Sequence, residues 1–163
     1  NFCQFCGAEY NDKNSLNKKC SNCGKWFFTN PSIGVGVVGF HNGKILMIKR
    51  AIDPYKNTWD IPAGFVDLAD GSLEDAGIRE FHEETGLEVS NLNYLNSGMM
   101  TYEFNKIKKP HLSVFFKADI VDIKPLEISD EVLEYKLVRL DEVDIDEIGF
   151  PIIKELFVKI KNE

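Results

Sequence analysis

The sequence has 163 residues, of which 28% are charged and 44% hydrophobic, and a formal net charge of -7. This length fits one domain of typical size with a small appendage and excludes a large multidomain enzyme. Because nucleic acids and membrane surfaces are negative, the charge disfavours a general binder of either. The sequence contains no run of about eighteen apolar residues, so we expect no membrane span. The first residues lack a basic region followed by an apolar stretch, which predicts no secretory signal and a cytoplasmic location.

Residues 1–30 contain all four cysteines, arranged as two Cys-x-x-Cys pairs that are each followed by glycine. The pairs are Cys3 with Cys6 and Cys20 with Cys23. Two such turns bring four thiolates onto one tetrahedral Zn²⁺, and four sulfur ligands leave no open position for catalysis. The alternatives are disulfides, which a reducing compartment disfavours, and scattered buried cysteines, which would rarely fall into two such pairs. We therefore predict a zinc ribbon over 1–30 whose metal is structural.

The same segment carries a small basic and aromatic surface that could contact nucleic acid. Its residues are Lys13, Lys18, Lys19, Lys25, Trp26, Phe27 and Phe28. Four lysines make a weak electrostatic footprint. We therefore favour the alternative that these aromatic side chains pack the ribbon against the next domain, and we do not expect RNA as the main partner.

Residues 31–163 predict one further domain built from strands and helices. Two apolar runs, 33–40 and 44–50, flank Asn42-Gly43, the strongest short hairpin pattern. Prolines and glycines in 51–71 predict mostly loop, with a short strand near Phe65-Val66. Strand patterns follow at 92–104, 112–121 and 132–140, and a helix is expected from Pro151. This order predicts an α+β fold or mixed sandwich.

Residues 72–85 predict a helix that Ser72 caps at its start and Gly86 ends. Glu80, Glu83 and Glu84 would share one face in its last two turns. Each like-charged pair costs about 0.2–0.5 kcal/mol, and an anion at this helix end costs roughly 0.3–1 kcal/mol. A solvated acidic face would accept both penalties, whereas bound Mg²⁺ or Mn²⁺ would neutralise the cluster. We therefore predict a divalent-cation site on this helix.

One segment resembles the Nudix box, GX5EX7REUXEEXGU, in which U is a bulky aliphatic residue. Its second half is matched at every specified position by 79–87, Arg-Glu-Phe-His-Glu-Glu-Thr-Gly-Leu, with Phe81 in the aliphatic position. The first half departs, because fourteen residues separate Gly64 from Arg79 where the pattern has thirteen, and Gly71 stands at the position of the first Glu. One inserted residue accounts for the difference, and Asp70 is the nearest substitute.

The resemblance covers about residues 33–160 and implies a Nudix-type α/β/α sandwich with a mixed sheet. With its ribbon, the chain is similar to NADH pyrophosphatases and related zinc-ribbon Nudix hydrolases, but the SQPWPFPxS motif of the former is absent from 92–110. The resemblance implies that Glu83 and Glu84 are metal ligands and that Glu80 is a ligand or orients the attacking water. Arg79 would hold a glutamate carboxylate in place.

Two further metal ligands are implied outside the helix. One is the backbone carbonyl of Ala63, and the other is a carboxylate from a later strand or loop. We assign the second to Glu131, with an exposed loop acid as the alternative; for 141–147, a solvated loop is the preferred interpretation. Tyr102, Phe104 and Phe28 are candidates for stacking on a substrate base, although aromatic residues on strands more often belong to a core.

The implied activity is that of a pyrophosphohydrolase, which cleaves a nucleoside diphosphate linked to another moiety by attack of water on phosphorus. NAD(H) and ADP-ribose are the expected kind of substrate, Mg²⁺ or Mn²⁺ the expected cofactor, and a homodimer is frequent in the family. Two alternatives remain, namely a nucleotide-sensing or RNA-binding module with a zinc ribbon, and a hydrolase of nucleoside triphosphates or capped RNA. The intact glutamates speak against a sensor, which has no need of the metal cluster.

Overall fold

The computed structural model describes residues 1–12, 14, 15, 17–104, 107–123 and 128–162, without the side chains of Phe104 and Ile107. It divides into two compact units, Asn1–Pro31 and Ser32–Glu163. The first unit has two short antiparallel strands, β1 (Lys18–Lys19) and β2 (Trp26–Phe27). Its small core is formed by Cys3, Tyr10 and Cys20.

The second unit contains a seven-stranded sheet and two α-helices. In chain order its elements are β3 (Ser32–His41), β4 (Lys44–Arg50), β5 (Trp59–Asp60), β6 (Ala63–Phe65), α1 (Leu73–Thr85), β7 (Val89–Phe104), β8 (Ile107–Ile120), β9 (Val132–Arg139) and α2 (Pro151–Ile160). Two short 3-10 helices, Leu140–Glu142 and Ile145–Glu147, lie between β9 and α2. Within the described residues, neither α-helix is both long and apolar enough to cross a membrane.

The sheet is mixed, with the central strand order β5-β4-β3-β8-β7. Strands β3 and β8 run parallel, with Val35 opposite Val114, and the other strand pairs are antiparallel. Strand β6 also pairs with β3, and β9 pairs with β4. The two faces of β3 alternate as a pleated strand requires: Val37 packs with Phe81 of α1, and Val38 packs with Phe157 of α2. A helix therefore covers each face, which confirms the predicted α/β/α sandwich with a mixed sheet.

Local patterns explain the ends of the main elements. Asn42 and Gly43 have φ values of 49° and 74°, as a type I′ turn between β3 and β4 requires. The hydroxyl of Ser72 accepts the Asp75 N–H at 3.0 Å and caps α1, while Gly86, with φ 69°, ends it. The 141–147 segment differs from the solvated loop expected for it, because it forms two 3-10 helices that bury Val143 while its acidic side chains stay exposed.

Candidate active site

Helix α1 presents its three box glutamates in different directions. Glu84 is 7% exposed, and its carboxylate accepts the backbone N–H of Ala63 at 3.0 Å. The Glu80 side chain is 15% exposed, whereas the Glu83 side chain is 57% exposed. Because 80 and 84 are one turn apart, both face strand β6, and Glu83 lies on the solvent side of the same helix. The helix is oriented by Phe81, which is fully buried in the core below it.

The electrostatics of the two inward glutamates show that several carboxylates share one small region. Burial, together with the charges of Asp60, Glu80 and Glu131, raises the pKa of Glu84 to about 8, and the hydrogen bond from Ala63 opposes the rise. Burial also raises the pKa of Glu80, and Glu83 and Glu131 contribute in the same direction while Arg79 opposes them. The backbone of Glu131 is joined to the 51–58 loop. Ala51 N donates a hydrogen bond to the Glu131 carbonyl, at 2.7 Å. The charge of Glu131 therefore acts on both Glu80 and Glu84.

Gly64 allows Glu80 to approach the backbone of β6. Strand β6 is fixed by its pairing with β3, in which Gly64 lies opposite Val35 and Ala63 opposite Gly36. A Cβ atom at position 64 would overlap the carboxylate of Glu80. Only glycine leaves room for this approach. Gly64, the first residue of the Nudix box, is therefore required by its contact with Glu80, a later residue of the same box.

Arg79 is held by carboxylates on two sides. Its Nε and Nη2 donate to the two oxygens of Asp70, both at 2.9 Å, and Nη2 also donates to the Phe65 carbonyl at 3.0 Å. Its Nη1 donates to Glu80 at 2.8 Å and to Glu83 at 3.1 Å. The guanidinium lowers the pKa of Asp70 to about 2. The arginine thus connects the loop before α1 with the glutamates on it.

Asp70 occupies the place in the loop where the sequence pattern is irregular. Besides Arg79, it accepts the Asp67 N–H at 2.7 Å, and its side chain is 6% exposed. The bidentate pair has the geometry in which Arg–carboxylate interactions are strongest. The residue nearest to the missing box glutamate is therefore the one that anchors Arg79.

The donor atoms of Glu80, Glu83 and Glu84 do not form one tight group. A compact metal site needs at least three Cys, His, Asp or Glu side chains whose donor atoms all lie within 4.8 Å of one another. Among the described residues, the four cysteines form such a group. Glu83 is bound to Arg79 on the solvent side, while Glu84 turns inward to Ala63. Nevertheless, buried carboxylate oxygens beside a backbone turn are the donor chemistry that Mg²⁺ and Mn²⁺ prefer. Glu80 and Glu84, which face β6, offer such oxygens, and binding of an ion by the box glutamates and Glu131 stays a prediction.

A cavity of about 280 Å³ opens beside these carboxylates. Its lining includes Ala63, Gly64 and Glu131. The rest of its wall includes the rings of Phe65, Tyr102, His111 and Phe150. It also includes the buried ion pair of Arg50 and Asp60. The wall of the cavity thus combines acidic and aromatic side chains.

Sequence reasoning did not identify the ion pair between Arg50 and Asp60. Arg50 Nη1 donates to Asp60 at 3.1 Å, and Arg50 Nε donates to the Pro54 carbonyl at 2.8 Å. Asp60 is 1% exposed, and burial raises its pKa to about 6 although Arg50 opposes the shift. The two residues flank a loop in the sequence and meet because β4 pairs with β5. The indication available in the sequence was the position of Asp60 in the segment directly before the Nudix box.

The four predicted zinc ligands lie together in the first unit. The sulfur of Cys3 is 3.7 Å from that of Cys23, and the sulfur of Cys6 is 3.6 Å from that of Cys20. With Zn–S bonds of about 2.3 Å, a tetrahedral site places its sulfurs about 3.8 Å apart. Both Gly7 and Gly24 adopt φ 72°, which lets each Cys-x-x-Cys turn close. The donor set and its spacing fit Zn²⁺.

The aromatic residues of the ribbon divide into two groups. Phe27 packs against the cysteine core, whereas Trp26 and Phe28 are 51% and 58% exposed. The exposed rings of Trp26 and Phe28 stack on each other, with centroids 5.8 Å apart. Of the predicted nucleic-acid surface, Lys13 lies outside the described residues, as does the side chain of Phe104, one of the proposed base-stacking groups.

Comparison with known proteins finds relatives that are named as an ADP-ribose pyrophosphatase and as an NAD-capped RNA hydrolase. A segment of 60 residues is 38% identical to an ADP-ribose pyrophosphatase of Methanocaldococcus jannaschii, covering 37% of this chain and 35% of that protein. The NAD-capped RNA hydrolase NudC of Pectobacterium atrosepticum is 29% identical over 136 residues, covering 79% of this chain and 48% of that protein. The chain therefore spans about half or less of the length of these curated relatives.

The fold has close counterparts among solved structures. A NUDIX hydrolase from Nitrosomonas europaea superimposes with a TM-score of 0.72 and 26% sequence identity, covering 99% of this chain and 90% of that one. The model of the NUDIX domain family matches residues 30–156. Since this match includes the box glutamates, Arg79 and the whole sheet, the chain belongs to the NUDIX domain family.

Proposed function

We propose that the chain is a divalent-metal-dependent pyrophosphohydrolase that cleaves a nucleoside diphosphate linked to another moiety, such as ADP-ribose or NAD(H). Glu84 is hydrogen-bonded to Ala63, and the carboxylate of Glu80 lies against Gly64. Ala63, Gly64 and Glu131 line the cavity, and this placement of the carboxylates around it is the observation that carries the proposal. Carboxylates whose charges raise the pKa of a neighbouring carboxylate are destabilising unless a cation occupies the site. Such an ion, when bound, polarises phosphoryl oxygens and lowers the pKa of a water molecule.

The residues around this site would position the reacting groups. Glu80, Glu84, Glu131 and the Ala63 carbonyl would supply oxygen ligands, and Glu83 a more exposed one. Arg79 would hold Glu80 in place through its 2.8 Å hydrogen bond while Asp70 fixes the guanidinium. In the reaction, the oxygen of water forms a new bond to one phosphorus and the bridging P–O bond breaks. ADP-ribose would thereby yield AMP and ribose 5-phosphate, with release of protons.

The substrate class is supported by the relatives and by the cavity. One relative is named an ADP-ribose pyrophosphatase, although it matches only 37% of this chain. The wall of the cavity combines Glu131, which would bind phosphate through cations, with aromatic rings suited to the rest of a nucleotide. A homodimer is part of the same proposal and is tested by the mass of the purified protein in solution.

NAD-capped RNA is a second candidate substrate. The NudC relative covers 79% of this chain, and Trp26 and Phe28 offer exposed rings on a ribbon that also carries Lys25. Bases of single strands stack on such rings. Cleavage would again occur at a pyrophosphate, so both candidates use the same carboxylates.

The direct test is hydrolysis of a substrate panel with and without Mg²⁺. The panel contains ADP-ribose, NAD, NADH, diadenosine polyphosphates, nucleoside triphosphates and capped RNA. We expect Mg²⁺-dependent release of a nucleoside monophosphate from ADP-ribose or a dinucleotide. No product from any compound would contradict the hydrolase proposal and favour a sensing module.

Two glutamine variants test the assigned residues. Glu84→Gln should lower kcat/KM by about hundredfold or more, because the loss of a charged ligand removes several kcal/mol of transition-state stabilisation. Glu83→Gln should have a smaller effect, since its side chain is 57% exposed. Glu88→Gln, an exposed glutamate just beyond the helix, is the matched control. Wild-type activity in Glu84→Gln would contradict the assigned chemistry.

A further inference from the structure

The hydroxyl group of Tyr10 lies buried in the small core of the first unit. Tyr10 is 4% exposed, and its Oη is the buried side-chain oxygen for which the described residues offer no hydrogen bond. Buried polar groups in folded proteins are nearly always paired, because an unpaired group loses its hydration without compensation. This exception indicates that Tyr10 does more than fill the core.

A short antiparallel pairing brings the Tyr10 side chain next to Cys3. Phe2 forms a bridge with Glu9, and Cys3 N donates to the Ala8 carbonyl at 2.8 Å. In such a pair, a residue lies diagonally across from the residue two positions beyond its opposite, on the same face. Cys3 and Tyr10 have this relation and are both buried, whereas Phe2, which points to the other face, is exposed.

The side chains around the hydroxyl leave sulfur as its acceptor. The buried cluster around Tyr10 consists of cysteine, alanine and phenylalanine side chains, namely Cys3, Cys20, Cys23, Ala8 and Phe27. Among these side chains only the sulfurs can accept a hydrogen bond. Burial, together with Cys3, Cys20 and Cys23, raises the pKa of Tyr10 to about 12, so the phenol keeps its proton and is a donor.

Metal binding would make these sulfurs stronger acceptors. The sulfurs of Cys3 and Cys23 lie 3.7 Å apart, a spacing that fits a tetrahedral Zn²⁺ site. Cysteines that ligate zinc are thiolates, and hydrogen bonds to charged acceptors are stronger than those to neutral ones. On the exposed side of the site, Asn22 Nδ2 already donates to the sulfur of Cys6 at 3.6 Å. Tyr10 offers the corresponding donor on the buried side.

We propose that the Tyr10 hydroxyl donates a hydrogen bond to the Cys3 sulfur when the ribbon holds its metal, and that Tyr10 is thus a positioning residue of the zinc site. This inference rests on the predicted zinc site and is independent of the proposed hydrolysis. The bond orients the Cys3 thiolate and satisfies the buried hydroxyl. The same hydroxyl therefore destabilises the metal-free ribbon and stabilises the loaded one.

Tyr10→Phe removes the hydroxyl and keeps the ring, so it separates the hydrogen bond from packing. Competition of the full chain with a chromophoric chelator measures its apparent affinity for Zn²⁺. We expect Tyr10→Phe to bind Zn²⁺ about 10- to 100-fold more weakly than wild type, because groups that hydrogen-bond to metal ligands contribute by that factor. If the hydroxyl had no acceptor in the loaded ribbon, its removal would leave the affinity unchanged or raise it. The two roles thus predict effects of different sign.

Cobalt substitution adds a readout that packing does not move. With saturating Co²⁺, the charge-transfer band from sulfur to metal reports the electron density on the thiolates. A thiolate without its hydrogen bond is a better electron donor, so the band of Tyr10→Phe should lie at longer wavelength than that of wild type. Tyr135→Phe makes the same change at an exposed position on β9 and is the matched control. It should keep the wild-type affinity and band.

The outcomes for Tyr10 differ from those for the hydrolase. Wild-type affinity in Tyr10→Phe overturns the proposal, and so does weaker binding with an unshifted band, which would assign the loss to packing. A wild type that binds neither Zn²⁺ nor Co²⁺ overturns it together with the zinc site, even where ADP-ribose is hydrolysed. If affinity falls and the band shifts while no substrate is cleaved, the role of Tyr10 stands and the proposed hydrolysis fails.

Discussion

At the scale of single residues, Asp70 shows how an irregular motif keeps its local geometry. The loop before α1 is one residue longer than the Nudix pattern, and Gly71 occupies the position of the first glutamate. Asp70 nevertheless reaches Arg79 with both carboxylate oxygens, while its own position is fixed by the Asp67 N–H. The carboxylate stands one residue before the glutamate position of the pattern, and the longer loop still lets it make a bidentate contact with Arg79.

Replacement of Asp70 by asparagine tests this contact. Asp70→Asn retains the shape but removes the charge that pairs with Arg79, so Glu80 should lose its fixed position. Because changes in residues that orient metal ligands cost about 10- to 100-fold, we expect kcat/KM to fall by that factor. Steady-state hydrolysis of ADP-ribose measures it, with Glu88→Gln as the control. Equal activity in Asp70→Asn and wild type would contradict a positioning role.

Gly64 is the second residue whose identity follows from a contact. In Gly64→Ala the new methyl group would overlap the Glu80 carboxylate, so either the side chain or strand β6 must shift. We expect kcat/KM to fall at least about tenfold, since small displacements of reacting groups are costly. Gly71→Ala is the matched control, because a Cβ there meets only the end of the Asp75 side chain at 3.0 Å. Similar activities of the two variants would show that the overlap is relieved without effect on the site.

At the scale of elements, α1 combines two inward carboxylates with a favourable helix start. Its first turn contains Glu74 and Asp75 near the positive end of the dipole, whereas Glu83 and Glu84 lie at the opposite end. The cap and the buried Phe81 offset the repulsion among the acidic residues. The helix therefore tolerates an arrangement that serves the site rather than its own stability.

Loss of the N-cap should destabilise the domain measurably. In Ser72→Ala the Asp75 N–H loses its acceptor, which costs about 1 kcal/mol. We expect the melting temperature to fall by about 2–5 °C. Thermal unfolding followed by circular dichroism measures the shift, and Ser72→Thr, which keeps a hydroxyl, should restore most of it. An unchanged melting temperature in Ser72→Ala would mean that the cap contributes nothing.

Elements with local causes were predictable from the sequence, and those with distant causes were not. The Asn42-Gly43 turn and the ends of α1 depend on residues within one turn of each other, so their patterns suffice. The parallel pairing of β3 with β8 joins residues about eighty positions apart, and alternation along a strand does not identify its partner. Phe150 was missed for the same reason, because it lies outside any strand and meets Tyr102 only in the folded chain.

At the scale of the whole molecule, the two units differ in how they are stabilised. The clusters of the second unit combine sheet and helix residues, for example Val38 with Phe157 and Val37 with Phe81, and none of their described members comes from residues 1–31. Among the described residues of the first unit, the buried hydrophobic ones are Cys3, Tyr10 and Cys20. A segment below about 40 residues rarely folds on apolar burial alone. Its stability should therefore depend on the metal.

Removal of zinc should unfold the first unit and leave the second folded. We expect about one Zn²⁺ per purified chain, and its apparent binding free energy of about 10–16 kcal/mol would supply the folding energy of the ribbon. After chelation, amide resonances of 1–31 should collapse to the unfolded range while those of 32–162 stay dispersed. Cys6→Ser should behave like the chelated chain, and Ser21→Ala, at an exposed position beside Cys20, should behave like wild type. If the ribbon amides stay dispersed without metal, its core is sufficient by itself and the zinc proposal fails. If both units unfold together, the second unit depends on the first for its stability, and the prediction that it stays folded is wrong.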